Sequence, residues 1–255
     1  MSREARQYSQ TGLYHVLFRG MNHCHLFEED KDYDKLLEIL IQIKNEMGIQ
    51  IHAYCLMSNH VHILIEEAAM RDITKIMRKL LTKYAGWFNR KYKRSGSLIA
   101  NRYKSEPVEA DEYLISLVRY IHQNPIKAGI VEKIEKYKWS SYKEYLNETK
   151  NGLTTTDFIL EMICENKSKA KEMFKDLHKE TEKKDFNISD SKRKTEEEAR
   201  QIIIDLIGGK EPHEIGGLPK LERNGILGLL KGIKGLSIRQ IERITGIPRG
   251  IIQKI

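Results

Sequence analysis

Two histidines one residue apart, His60 and His62, stand inside the run Met57-Ser58-Asn59-His60-Val61-His62-Ile63-Leu64-Ile65. Ser-Asn supplies turn chemistry, and the β-branched and apolar residues after it read as a strand. Alternate strand residues share a face, so the two imidazoles lie side by side while Val61 and Ile63 point into the opposite layer. Such a pair holds a divalent cation once a third ligand joins it; without one it is simply two half-exposed histidines. Candidates for the third ligand stand in Tyr120-Ile121-His122-Gln123-Asn124.

That second segment ends a helix. Asp111 suits an N-cap, and Leu114, Leu117, Val118 and Ile121 form an apolar stripe at helical spacing. Tyr113, Ser116, Tyr120 and Asn124 share a neighbouring face, with Tyr120 and Asn124 one above the other. Pro125 disfavours helix at Asn124, so the last turn is expected to fray and let that amide swing toward a cation on His60 and His62. With Asn124 as third ligand, Tyr120 arrives one turn away, beside any phosphate the cation has bound. A phenol with a pKa of about 10 is a poor nucleophile, but it attacks phosphorus when a cation polarises the phosphate oxygens. The product is a phosphotyrosine ester that conserves the energy of the broken phosphodiester, so a later strand end displaces the protein without ATP. The competing reading is a core tyrosine with its hydroxyl at the rim, and Tyr113 on the same face is a rival for the chemical role.

The elements that must position these groups follow in order. Leu13 to Arg19 reads as a strand ended by Gly20, and Lys31 to Met47 as a helix stopped by Gly48. Ile49 to Leu56 and Val61 to Glu66 form a strand pair, Arg71 to Arg94 a long amphipathic helix, and Tyr103 to Val108 an extended segment. Strand-helix-strand-strand-helix-strand is the split βαβ, ferredoxin-like pattern of an α+β domain, with helices on one sheet face and the other face free for chemistry.

Composition bounds the partner. Lysine and arginine number 44 against 36 acidic residues, a formal net charge of +8 over 255 residues, which favours an anionic polymer and nucleic acid before membrane. No apolar run is long enough to span a bilayer and the N-terminus lacks a signal-peptide apolar region, so a cytoplasmic protein is expected. Cys24, Cys55 and Cys164 are scattered, which encodes neither a disulfide framework nor a cysteine zinc cage, and Cys55 reads as a small buried hydrophobe. Between Asp72 and Glu106 no acidic residue occurs, while Lys75, Arg78, Lys79, Lys83, Arg90, Lys91, Lys93, Arg94, Arg102 and Lys104 are basic. The apolar stripe Ile73, Met77, Leu80, Tyr84 and Trp87 faces the sheet, leaving a single-sign surface suited to phosphates, with Phe88, Tyr92 and Tyr103 as candidate base-stacking rings. An ordinary solvated helix face is the alternative.

His60-Val61-His62 inside YCLMSNHVHILI, YHVLFRG upstream, and LVRYIHQNPIKAGIV and YKWSSYKEY downstream together resemble the single-tyrosine HUH transposases, in particular the REP-associated tyrosine transposase group. The resemblance covers about residues 8 to 146 in several ordered blocks. It implies a ferredoxin-like nuclease domain (1–146) that acts on single-stranded DNA, often beside a hairpin. It further implies His60 and His62 as metal ligands, Mg²⁺ or Mn²⁺ as cofactor, and Tyr120 as the nucleophile, giving a 5′-phosphotyrosine link and a free 3′-OH. Related enzymes complete the metal site with a glutamine four residues after the tyrosine; here Asn124, a shorter amide, stands there. Relatives act as monomers or as homodimers with exchanged tyrosine helices, and both assemblies stay open.

Beyond Tyr145 the composition shifts. Residues 147–194 read as a helical connector, with helices from Asp157 to Cys164 and from Ser168 to about Glu180 and a charged linker from Lys183 to Lys194. Residues 195–255 read as an all-α helix-turn-helix-like DNA-binding module: a capping box at Thr195 to Glu198, then Ser237 capping with Gln240, Ile238, Ile241 and Ile244 inward, and Gly246 in the turn. Arg239 and Arg249 are its candidate DNA contacts, and a plain helical hairpin is the bland alternative. The leading function is metal-dependent strand transfer or nicking of single-stranded DNA. A catalytically silent DNA-binding regulator on the same scaffold is the second reading, and a rolling-circle initiator or relaxase the third.

Overall fold

The structure, a computed structural model, describes residues 7–100, 102–146, 152–179, 186, 195–233 and 236–254. Strands β1 (Leu13–Arg19), β2 (Gln50–Met57), β3 (His60–Glu66) and β4 (Lys104–Pro107) form one antiparallel sheet in the order β2-β3-β1-β4. Helix α1 (Asp30–Met47) connects β1 to β2, and α2 (Ile73–Lys91) connects β3 to β4. This is the ferredoxin-like α+β arrangement expected from the element order. α1 starts in a capping box of Glu29 with Asp32 and ends where Gly48, at φ 67°, takes the left-handed conformation that lets its N–H reach Lys44 O.

Register decides which residues meet. Leu17 lies opposite His62, Arg19 opposite His60 and His15 opposite Leu64, so all three histidines share one sheet face. The end of β1 is pinned to the turn before β3: Gly20 N–H donates to Asn59 O at 2.9 Å, and a Cβ on Gly20 would lie 2.0 Å from Cys24 O. Only glycine fits there. The opposite face carries buried Tyr14, Val16, Phe18, Val61, Ile63 and Ile65. On that side Tyr14 O–H donates to Glu67 at 3.4 Å, and the same carboxylate accepts Arg71 N–H and Ile73 N–H at 2.7 and 2.8 Å, satisfying the start of α2.

Helix α3 (Asp111–Lys127) runs over the histidine face, and it does not fray at Pro125. Proline removes the donor to Ile121 O; the Asn124 amide replaces it, donating to Tyr120 O at 2.9 Å and to Ile121 O at 3.4 Å. The expected swing of Asn124 off a frayed end is therefore corrected: its N–H₂ group is committed to its own helix.

Two compact units divide the chain, one ending at Ile188 and the next beginning at Ser189. The short α4 (Tyr142–Tyr145), α5 (Asp157–Ile163) and α6 (Lys167–Lys179) belong to the first, so the helices read as a connector are part of it. The reason is polar anchoring on α3: His122 Nδ1 meets His178 Nε2 at 3.0 Å, Gln123 Nε2 donates to His178 O at 3.0 Å, and Arg119 Nη1 donates to Leu177 O at 3.3 Å. Of the expected linker from Lys183 to Lys194, all but Phe186 lies outside the described residues.

The second unit holds α7 (Glu196–Leu206), α8 (Lys220–Gly232), α9 (Ile238–Thr245) and α10 (Arg249–Lys254) around its own core of Ala199, Ile203, Ile215, Leu227, Leu230, Ile241 and Ile252. The capping boxes at Thr195 and Ser237 form as read, and Gly246 at φ 72° turns the chain between α9 and α10. Among the described residues no helix is long and apolar enough to cross a membrane.

Candidate active site

Each imidazole on the histidine face has a defined role for one nitrogen. His60 Nδ1 lies 2.7 Å from Asn59 Oδ1, an acceptor only, so Nδ1 carries the proton and Nε2 keeps its lone pair. His62 is fully buried; its Nδ1 meets His15 Nε2 at 3.0 Å, and its Nε2 has no hydrogen-bond partner among the described residues. Burial, helped by the Arg19 charge, pulls His60 down to about 4, and burial alone pulls His15 down to about 3. His62 is held well below the usual range by burial, then by His15, His60 and Arg19. All three rings are neutral near pH 7, the form in which imidazole binds a metal.

Tyr120 closes the site from α3. Its ring packs edge-on against His62 and His15, with centroids 5.6 and 6.3 Å apart, and Lys127 Nζ stands 4.7 Å from its centroid. It is 2% exposed, with Phe186 against it at 5.3 Å. Tyr113 also touches Phe186, but its phenol is pushed up by burial and by the Glu106 carboxylate, which disfavours the phenolate a nucleophile needs. His122, one candidate from the same segment, points away to His178 and Ser141.

Residues 9–124 match the profile of a family described as IS200-like transposases. Over that span, somewhat under half of its length, the chain is similar to the IS200-like transposases. Transposases of this kind cleave and transfer DNA strands and generally depend on a divalent metal. Among solved structures, a REP-associated tyrosine transposase bound to a REP hairpin is similar in fold: 18% identity, TM-score 0.50, covering 61% of this chain and 89% of that one. A protein from Deinococcus radiodurans R1 assigned as a transposase matches at 21% identity and TM-score 0.35, covering 48% of this chain and 96% of that one. No curated protein matches.

The histidine face fits a metal in part through its donors. His62 Nε2 is buried with no partner among the described residues and, where it carries its lone pair, a cation would satisfy it; His60 offers Nε2. Among the described residues no three His, Cys, Asp or Glu side chains are placed to hold a metal ion, so a third protein ligand is sought in other side chains, and Asn124 is buried on the same helix as Tyr120.

The basic stretch is less open than its sequence suggests. Lys75 pairs with Asp72 at 2.6 Å, Lys79 and Lys83 with Glu46, and Lys91 with Glu29 at 2.6 Å and with Asp32. Most of those carboxylates come from α1 and its cap. Arg78, Arg90 and Arg102 are exposed and make no ion pair among the described residues, and Arg94 lies 5.7 Å from the Phe88 ring. Lys104 is half-buried in β4. Phe88 and Tyr103 are buried in the core, and Tyr92 donates to Asp32 at 2.8 Å, so none of the three is a free stacking platform. In the second unit Arg239 is exposed, while Arg249 stands 3.9 Å from Glu242.

Sequence reasoning missed His15, Arg19, Lys127 and Phe186. Period two does put His15, Leu17 and Arg19 on one face of β1, but only the register to β3 brings that face to His60 and His62.

Proposed function

We propose that this chain is a metal-dependent single-stranded DNA transesterase, working in the cytoplasm on hairpin-associated sites through a 5′-phosphotyrosine intermediate. The observation that carries this reading is the contact of Tyr120 with His62, whose Nε2 lacks a partner among the described residues. His60 and His62, with the Asn124 carbonyl oxygen as third donor, would hold Mg²⁺ or Mn²⁺. Such a cation supplies Lewis acidity toward the oxygens of the scissile phosphate.

The chain's own groups do the rest. Tyr120 Oη attacks phosphorus, the Oη–P bond forms, the P–O3′ bond breaks, and the 3′ oxygen leaves and takes up a proton as the phenol loses one. Lys127, over the Tyr120 ring, and Arg19, opposite His60, place positive charge where the phosphate must sit. Arg78, Arg90, Arg94 and Arg102, together with Lys75, Lys79, Lys83, Lys91 and Lys104 where DNA displaces their carboxylate partners, would track the phosphate backbone. The second unit would add DNA contacts through Arg239 and Arg249. The hairpin in the structural relative supports, for this chain, a folded single strand as substrate.

The test is a covalent adduct on a denaturing gel, using labelled single strands with candidate hairpins from the flanking genome, in Mn²⁺ and then in EDTA. An adduct that needs metal, vanishes in Tyr120→Phe and persists in Tyr113→Phe is expected. Tight binding with no adduct on any hairpin would instead favour the regulator reading.

A further inference from the structure

We infer that His15 is a positioning residue of the metal centre, fixing the tautomer and the ring orientation of His62. The inference rests on the metal-dependent reading above.

Sheet register sets the geometry. His15 is diagonal to His62 across the β1–β3 pair, on the same face, and the two rings stack at 5.2 Å with an interplanar angle of 17°. Their facing nitrogens, His15 Nε2 and His62 Nδ1, lie 3.0 Å apart, so one proton sits between them. A neutral imidazole carries one N–H. If that shared proton belongs to His15, His62 must hold its own proton on Nε2 and cannot ligate through it. If it belongs to His62, the His62 Nε2 lone pair is free and His15 keeps its proton on Nδ1. Both outer nitrogens are buried without partners among the described residues.

A cation on His62 Nε2 is compatible with only the second arrangement. Binding therefore selects it, and the pair loses no proton overall: one leaves His62 Nε2, one appears on His15 Nδ1, and the central proton changes owner. Ring stacking and the edge-on Tyr120 leave His62 no room to turn. Metal-bound histidines are usually oriented by such an outer hydrogen bond, often to a carboxylate that raises ligand basicity. A neutral imidazole acceptor adds no charge to the centre, so a bound cation keeps more of its pull on phosphate oxygens.

The experiment measures Mn²⁺ binding to the full chain by titration calorimetry for wild type, His15→Leu and His15→Gln, with circular dichroism confirming each fold. His15→Leu removes the acceptor and is expected to weaken Mn²⁺ about 10- to 100-fold, while the Gln amide oxygen can accept from His62 Nδ1–H and should recover most of it. Nitrogen-15 NMR of wild type with Zn²⁺ gives an independent readout that no variant's misfolding affects: His62 should be protonated on Nδ1 and His15 on Nδ1. Equal Mn²⁺ affinity in wild type and His15→Leu, with binding still lost in His62→Ala, would overturn this inference alone. Wild type that binds no Mn²⁺, or binds it unchanged in His62→Ala, would overturn the metal reading and this inference together.

Discussion

Two buried imidazole pairs flank α3, and they have the same internal geometry. His15–His62 and His122–His178 each bring facing nitrogens to 3.0 Å and ring centroids to 5.2 Å. The difference lies at the outer nitrogens. His122 Nε2 meets Ser141 Oγ at 2.7 Å and His178 Nδ1 donates to Phe174 O at 2.8 Å, inside a cage of Tyr142, Tyr145 and Phe174. In the other pair His62 Nε2 and His15 Nδ1 have no hydrogen-bond partner among the described residues. A closed polar chain stabilises its neighbourhood, whereas an open one in the same burial is a standing penalty that a ligand relieves. One pair holds the helix that carries Tyr120; the other keeps two buried nitrogens open among the described residues.

The comparison breaks most visibly in activity. Tyr120→Phe, or His62→Leu on the open side, should cut covalent adduct formation on the order of a thousandfold or more, read as initial rate on a denaturing gel. His178→Gln on the closed side should leave the adduct detectable. Stability should run the opposite way. His122→Leu strands His178 Nε2 and takes one partner from Ser141 Oγ, which keeps Tyr54, and is expected to destabilise by about 2–3 kcal/mol in urea unfolding, while His62→Leu strands His15 Nε2 but removes an orphaned nitrogen with it and should cost less, about 1 kcal/mol. An equal loss from both substitutions would erase the distinction.

Acid sharpens it further. Burial lowers His178 to about 4, with Arg119 adding to that and the Phe174 carbonyl opposing it, and holds His122 well down. Between the unfolded value of about 6.5 and that lowered value the unfolded chain binds more protons, so stability is full above pH 6.5 and falls as pH drops toward 4. Unfolding free energies measured in urea from pH 7 to pH 4.5 should decline less steeply in His178→Gln, by a difference on the order of 2 kcal/mol across the window. The smallest effect concerns DNA affinity. Arg78→Ala, removing an unpaired exposed charge, should lower the salt slope of binding by about one, and Lys79→Ala, whose lysine already pairs with Glu46, by less.

Local pattern carried much of this molecule. Period two placed His60 and His62 on one face, Gly48 stopped α1, and the element order gave the ferredoxin-like sheet, because each depends on residues close in sequence. What needed the folded chain is what depends on distant partners. His15 has no local mark of function; β3 makes its neighbourhood. The lysines of α2 read as a bare positive face because Glu46, Glu29 and Asp32 lie on another helix and its cap. The frayed helix end expected at Asn124 does not form for a different reason: Pro125 does remove a donor, but the neighbouring amide repairs the gap within the helix.

The sheet order has a temporal consequence. β1 is made first yet sits between β3 and β4, so it must wait for two strands that emerge much later, and non-local pairings of this kind form slowly. His15 meets His62 only when β3 has joined, Tyr120 arrives with a helix made after β4, and α6 follows to hold that helix from behind. During synthesis His15, His62 and Tyr120 therefore stay apart until most of the first unit has left the ribosome. The histidine–tyrosine cluster is completed as one of the last acts of folding.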